Sequence, residues 1–177
     1  IKQKILTDSL AILNALIETE ATEDVKGKLR LYINNAIYST EEIELSKGEG
    51  TISYEIKIND PQLWWPRGLG EQNLYSVRAV IISEDYYETE KETRIGLRTV
   101  EVVREKDEKG KSFYLQVNGR PVFMKGANYI PQDNFLNRVS PDQYKNLIKS
   151  AVDANLNMLR VGGGGISETD IFYALCD

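Results

Sequence analysis

At 177 residues the chain can hold one ordinary domain, or one small domain and part of a second. It is 41% hydrophobic and 28% charged with net charge −5, the balance of a soluble globular protein; it has no basic block to bind nucleic acid and no apolar run near the roughly 20 residues of a membrane span. It has no histidine, which excludes Ser–His and Cys–His dyads and His-ligated zinc and leaves any chemistry to carboxylates, Arg, Lys or Tyr.

The first half reads as strands. Residues 9–20 (SLAILNALIETE) fit either a buried strand or a helix, and their strand-like neighbours favour a strand. In residues 28–34, apolar Leu29, Leu31 and Ile33 alternate with polar Lys28, Arg30 and Asn34. Residues 51–60 repeat the pattern with Ile52, Tyr54, Ile56 and Ile58. A period of two marks strands with one buried face. Residues 74–83 and 93–103 are further strands, and polar turns are expected at 46–50 and 83–92. Several short strands at this spacing predict a β-sandwich. Trp64 and Trp65 lie in a WWP motif and are expected to anchor packing rather than to stack on sugar. Arg94 and Arg98 are expected in structural ion pairs.

The charged stretch 104–111 (REKDEKGK) marks a boundary, and the character then changes. Residues 112–126 predict a hairpin, because Asn118-Gly119 suits a type I′ turn with positive φ at both central residues. Phe113, Leu115 and Val117 would share one side, answered by Val122 and Met124. A strand follows through 124–130. Residues 140–157 predict a helix, with Ser140 as N-cap, Pro141 at N1 and Gln143 closing a capping box. Tyr144, Leu147, Ile148, Ala151 and Val152 share one face of it. Residues 158–161 (MLRV) predict a short buried strand, 162–165 a glycine loop, and 170–177 the start of another helix. The glycines lack the GxGxxG spacing and no Lys follows closely, so a phosphate cradle is not expected. Glu168 and Asp170, at a helix start, are expected to serve capping and dipole compensation rather than a carboxylate pair.

Hairpin, strand, helix, strand is how a (β/α)₈ barrel opens. Such a barrel needs eight strands and roughly 250 residues, so the chain is expected to be a piece of a larger enzyme. The expected fold is mainly β, a sandwich over residues 1–104 and an incomplete barrel opening over 105–177.

Four ordered segments carry a family likeness: PQLWWPRGLGEQNLYSV (61–77), RIGLRTVEV (94–102), FYLQVNGRPVFMKGANYIPQD (113–133), and NMLRV followed by glycines and DIFYALCD. Together they resemble glycoside hydrolase family 2, and within it the β-mannosidase branch. The resemblance implies a jelly-roll domain, an immunoglobulin-like sandwich and a catalytic barrel in the intact relative, which removes terminal β-mannose with retention. It implies a β-linked oligosaccharide as substrate and no cofactor or metal. It also implies the remainder of the same polypeptide as partner, with self-association through exposed barrel surface as a further expectation.

Retention uses an acid/base and a nucleophile carboxylate about 5–5.5 Å apart. The family places both Glu residues on later barrel strands, the acid/base in an Asn-Glu pair, and no such pair occurs here. The chain is therefore expected to be inactive alone. Arg160 matches the arginine that supports the nucleophile carboxylate in related barrel glycosidases. Asn128 and Asp133 follow the first strand, to bind sugar hydroxyls or to hold loops. Gly162 stands where the branch has Trp, and Ser167 where it has Tyr, which leaves sugar specificity open. A non-catalytic carbohydrate-binding or structural sandwich is the alternative. The chain opens at Ile1 rather than Met, and the compartment stays open.

Overall fold

The computed structural model describes residues 1–162 and 167–177, so the expected glycine loop lies outside the described residues except for Gly162. The chain divides into two compact units: residues Ile1–Leu63 with Asn73–Leu97, and Trp64–Gln72 with Arg98–Asp177.

The first unit contains β1 (Lys2–Leu6), β2 (Leu10–Ala21), β3 (Val25–Ile33), β4 (Ala36–Leu45), β5 (Gly48–Asn59), β6 (Tyr75–Ser83) and β7 (Glu88–Ile95). They form two antiparallel sheets, in the orders β1-β2-β5 and β4-β3-β6-β7. The segment that was ambiguous between strand and helix is β2, which pairs with β5 along its whole length, from Leu10↔Asn59 to Ala21↔Gly48. Its period of two sends Ala11, Leu13 and Ala15 into the core with Ile56, Val77 and Leu97. This layer joins the sheets into a sandwich, and each fully buried Leu or Ile contributes roughly 1.5–3 kcal/mol.

Three local expectations are corrected. The segment 93–103 is not one strand: β7 ends at Ile95 in the first unit, and a new strand begins at Val100 in the second. Between them Leu97 turns into the core at 1% exposure, which breaks the ladder. The acidic stretch 83–92 is a turn only over its first part, because β7 starts at Glu88. Its charges lie opposite β6, where Glu90 pairs with Arg78 and Glu92 accepts from Ser76. β1 and β4 are additional strands. β4 returns from β3 through Asn34-Asn35, with φ of 48° and 66° at the two loop residues. Both outer strands of the four-stranded sheet, β4 and β7, are rich in charge, which discourages pairing with other chains.

The second unit begins with β8 (Val100–Val103), β9 (Tyr114–Val117) and β10 (Arg120–Val122), an antiparallel sheet in the order β10-β9-β8. The predicted turn is present, with φ of 49° at Asn118 and 73° at Gly119. Asn118 also ties the hairpin to the chain entering β8, donating its N–H to the Thr99 carbonyl and accepting the Thr99 N–H at Oδ1. Val117 and Val122 are buried as expected, but Phe113 is 70% exposed because it precedes the strand and lies under Arg104.

A strand–helix–strand unit follows, with β11 (Gly126–Tyr129), a 3₁₀ turn (Leu136–Arg138), α1 (Pro141–Asp153), β12 (Met158–Val161) and finally α2 (Asp170–Cys176). β11 and β12 are parallel, in the register Gly126↔Met158 to Tyr129↔Val161. Helix α1 has the full predicted capping box at Ser140 and Gln143. It ends in a Schellman motif: Asn155 takes the left-handed conformation (φ 60°), its N–H reaches the Val152 carbonyl, and the Leu156 N–H reaches the Ala151 carbonyl. The predicted apolar face buries Tyr144 and half-buries Leu147 and Ile148, while Val152 stays exposed. β12 is half-buried rather than buried, with Arg160 exposed. The core of this unit is Tyr129, Val139, Tyr144 and Phe172. The described fold is thus mainly β, and among the described residues no helix is long and apolar enough to cross a membrane.

Candidate functional site

Parallel strands carry their functional groups at their C-terminal ends. Here those ends bring together two of the three residues singled out from sequence. Asn128 sits in β11 directly opposite Arg160 in β12, and the Arg160 guanidinium donates to Asn128 Oδ1 at 3.3 Å. Both side chains are exposed. Asn128 thus orients a cationic fork that remains open to solvent.

The third residue, Asp133, is occupied elsewhere. It lies in the loop after β11, accepts the Phe135 N–H at 2.8 Å, and takes both Nε and Nη2 of Arg138. The Arg138 guanidinium, reinforced by the Phe135 N–H, holds this carboxyl below the usual carboxylate range. Its geometry is that of a loop clasp.

A cluster that sequence reasoning missed lies beneath the strand ends. Glu168 is 7% exposed, and its Oε2 accepts the Tyr144 hydroxyl at 2.9 Å. Tyr129, at the end of β11, stacks on Phe172 with ring centroids 4.9 Å apart, and Tyr144 meets the same ring edge-on at 6.3 Å. Burial, and then the nearby Glu168 charge, push the Tyr129 phenol up to about 12. Thr169 holds the N-cap position of α2, and Glu168 is buried against Tyr144 rather than exposed for capping. The one signal available was Tyr144 on the apolar face of α1, since a buried tyrosine hydroxyl demands a polar partner.

Trp64 and Trp65 are engaged by the protein. Trp64 lies under the Arg98 guanidinium at 4.3 Å and donates its Nε1–H to the Asp177 carbonyl. Trp65 lies under Arg120 at 5.0 Å and packs so tightly on Gly70 that a Cβ there would meet the ring at 2.8 Å. Arg98 thus stacks on an aromatic face, while Arg94 is exposed and in none of the described salt bridges. A cleft of about 210 Å³ is lined by Trp64, Arg67, Leu156, Met158 and Leu175. It adjoins the start of β12, the stability end of a parallel strand. Neither Asn128 nor Arg160 lines it.

Gly162 follows β12, and its N–H reaches the Tyr129 carbonyl. Among the described residues, a Cβ at this position would meet only that carbonyl, at 3.7 Å, an ordinary contact. The described backbone therefore does not require a glycine here.

This fold coincides with that of a known class. The profile of Glycosyl hydrolases family 2 matches residues 1–98, and the chain belongs to that family. Its relatives there are β-mannosidases. It is 42% identical to the Bos taurus β-mannosidase over 146 residues, covering 80% of this chain and 17% of the relative. It is 38% identical to β-mannosidase B of Aspergillus niger over 173 residues, covering 97% and 20% respectively. The crystal structure of β-D-mannosidase from Dictyoglomus thermophilum superposes with a TM-score of 0.87 at 38% identity, covering 98% of this chain and 22% of that one. The exo-chitosanase of Amycolatopsis orientalis, at 22% identity and TM-score 0.80, shares the fold. The chain spans about a fifth of the length of the curated relatives it matches.

Proposed function

We propose that the protein containing this chain is a retaining exo-β-glycosidase that releases terminal β-mannose from β-linked oligosaccharides. On this reading residues 1–104 are its immunoglobulin-like sandwich and residues 105–177 open its catalytic barrel. The observation that carries the proposal is the Asn128–Arg160 pair at the ends of adjacent parallel strands, in a chain 38–42% identical to β-mannosidases. The Arg160 guanidinium is the group that supports the nucleophile carboxylate: its charge favours the ionised form, and its planar fork supplies directional hydrogen bonds. Asn128 fixes the fork. Asp133 holds the loop after β11 by clasping Arg138. The two catalytic carboxylates come from outside this chain, which is inactive by itself.

Gly162 and Ser167, where the mannosidase branch has aromatics, favour a second reading in which the same mechanism serves a different sugar. The test is turnover of aryl β-mannoside, β-glucoside and β-galactoside by the full-length protein and by residues 1–177. The proposal expects β-mannoside turnover from the first and none from the second. Preference of the full-length protein for another aryl glycoside would select the second reading, and turnover by residues 1–177 would refute the assignment of the carboxylates.

A further inference from the structure

Among the described residues, two buried polar atoms of the second unit lack a well-formed hydrogen bond, and they are chemically complementary. Among the described residues, Tyr129 Oη and Glu168 Oε1 are both enclosed and neither closes a well-formed hydrogen bond, although Glu168 and Gln132 both lie close enough to bear on the Tyr129 hydroxyl. Their residues are 5% and 7% exposed. An orphaned buried carboxylate oxygen is costly, and so is an orphaned buried hydroxyl. Tyr129 keeps its proton well beyond neutral pH, for burial and the adjacent Glu168 charge both oppose its loss. It is therefore a donor. Glu168 Oε2 already accepts from Tyr144, so Oε1 is the oxygen left to accept.

The location gives this pair a consequence. Tyr129 ends β11, one residue after Asn128, which holds Arg160. Its ring lies on Phe172 of α2, and its carbonyl accepts the Gly162 N–H where the chain leaves β12. Glu168 stands just before Thr169, the N-cap of α2, and is held by Tyr144 of α1. One bond from Tyr129 to Glu168 would tie the end of β11 to both helices.

We propose that Tyr129 and Glu168 are positioning residues: Tyr129 donates to Glu168 Oε1, directly or across one water, and the bond fixes the strand end that presents Asn128 and Arg160. Its catalytic consequence rests on the β-mannosidase reading above, whereas the bond itself does not.

The test uses the full-length protein and its Tyr129→Phe and Glu168→Gln variants, in two arms. A crystal structure resolving ordered waters is expected to show Oη and Oε1 within about 3.2 Å of each other, or of one shared water. A cationic side chain or a metal ion seated on Oε1 would overturn the bond. In kinetics on aryl β-mannoside, Tyr129→Phe is expected to lower kcat by at least about fivefold with KM held within about twofold, because it disturbs presentation rather than ground-state binding. The double variant should fall no further than the worse single one, since both residues act through one bond. Unchanged kcat in Tyr129→Phe, with only a lower Tm, would show the bond to be structural and overturn the positioning role. A wild-type enzyme that turns over no β-mannoside would refute the functional reading, while the crystallographic arm still decides the bond.

Discussion

Gly126→Ala tests the strand pair on which the site depends. Gly126 is opposite Met158 in the parallel β11–β12 register. A Cβ there would meet the Met158 carbonyl oxygen at 2.7 Å and the Met158 Cβ at 3.1 Å. The closest comfortable C···O approach across a sheet is about 3.3 Å, so the strands must separate by roughly 0.6 Å. The obstacle is backbone, which cannot swing aside as a flexible side chain would. Overpacking of this kind costs roughly 1–3 kcal/mol. Against it, alanine in a strand gains about 0.5–1 kcal/mol over glycine by restricting the unfolded chain. The net loss lies between about 0 and about 2.5 kcal/mol, about 1 kcal/mol at mid-range, so overpacking wins. The strands are also fixed just before this point, where the Lys125 N–H reaches Asn157 Oδ1 and the Asn157 N–H reaches the Lys125 carbonyl. Strain at Gly126 is therefore passed forward to Asn128 and Arg160. The assay is urea unfolding combined with amide exchange over 126–129 and 158–161. The expectation is a lower midpoint and faster exchange in both segments. A variant as stable as the parent, with unchanged protection, would refute the steric reasoning.

Further expectations follow from other sites. Tyr144→Phe removes the hydroxyl that donates to the buried Glu168 Oε2, and a hydrogen bond to a charged group contributes about 1.5–3 kcal/mol, so the urea midpoint of the second unit should drop clearly. Asn155→Ala should cost roughly 1 kcal/mol and Asn155→Gly much less, because the helix end needs positive φ there, and circular dichroism melts would rank them. The Asp133 carboxyl is held below its unfolded value by Arg138 and the Phe135 N–H, so its contribution is present above about pH 4 and is lost as pH falls through the folded value. Acid unfolding curves of Asp133→Asn should lack that component. Tyr129 is raised to about 12, so stability should decline as pH rises from about 10 towards 12. Tyr129 and Tyr144, both raised by burial, should then titrate late in the ultraviolet difference spectrum, and the late change should shrink in Tyr129→Phe.

The readability of this chain followed the strength of its local signals. α1 was legible in full, because a capping box and a helical apolar face agree over residues 140–152. β3 and β5 were legible because the core takes every second residue, and β2, ambiguous by itself, was settled by its strand-like neighbours. β4 and β7 were hidden because strands at a sheet edge need little apolar surface, and the glutamates of β7 read as turn. The Asn34-Asn35 turn, with both residues at positive φ, was the missed clue to β4. At the site, the pairing of Asn128 with Arg160 needed the register of strands 32 residues apart, which no local pattern contains. Glu168 was read as a helix-start charge because proximity to α2 is visible in sequence, whereas burial under Tyr144 is tertiary.

The central claim is that this chain presents Arg160 to the nucleophile of a retaining β-mannosidase whose carboxylates lie elsewhere. The most direct measurement is kcat and the first-formed anomer of mannose for the full-length protein and its Arg160→Lys variant, read by proton NMR on an aryl β-mannoside. The claim predicts β-mannose as first product from the wild type and a kcat at least about tenfold lower in the variant, a barrier increase of ~1.4 kcal/mol, since lysine keeps the charge but loses the fork. First-formed α-mannose, or a variant with unchanged kcat and a reduced Tm, would contradict it.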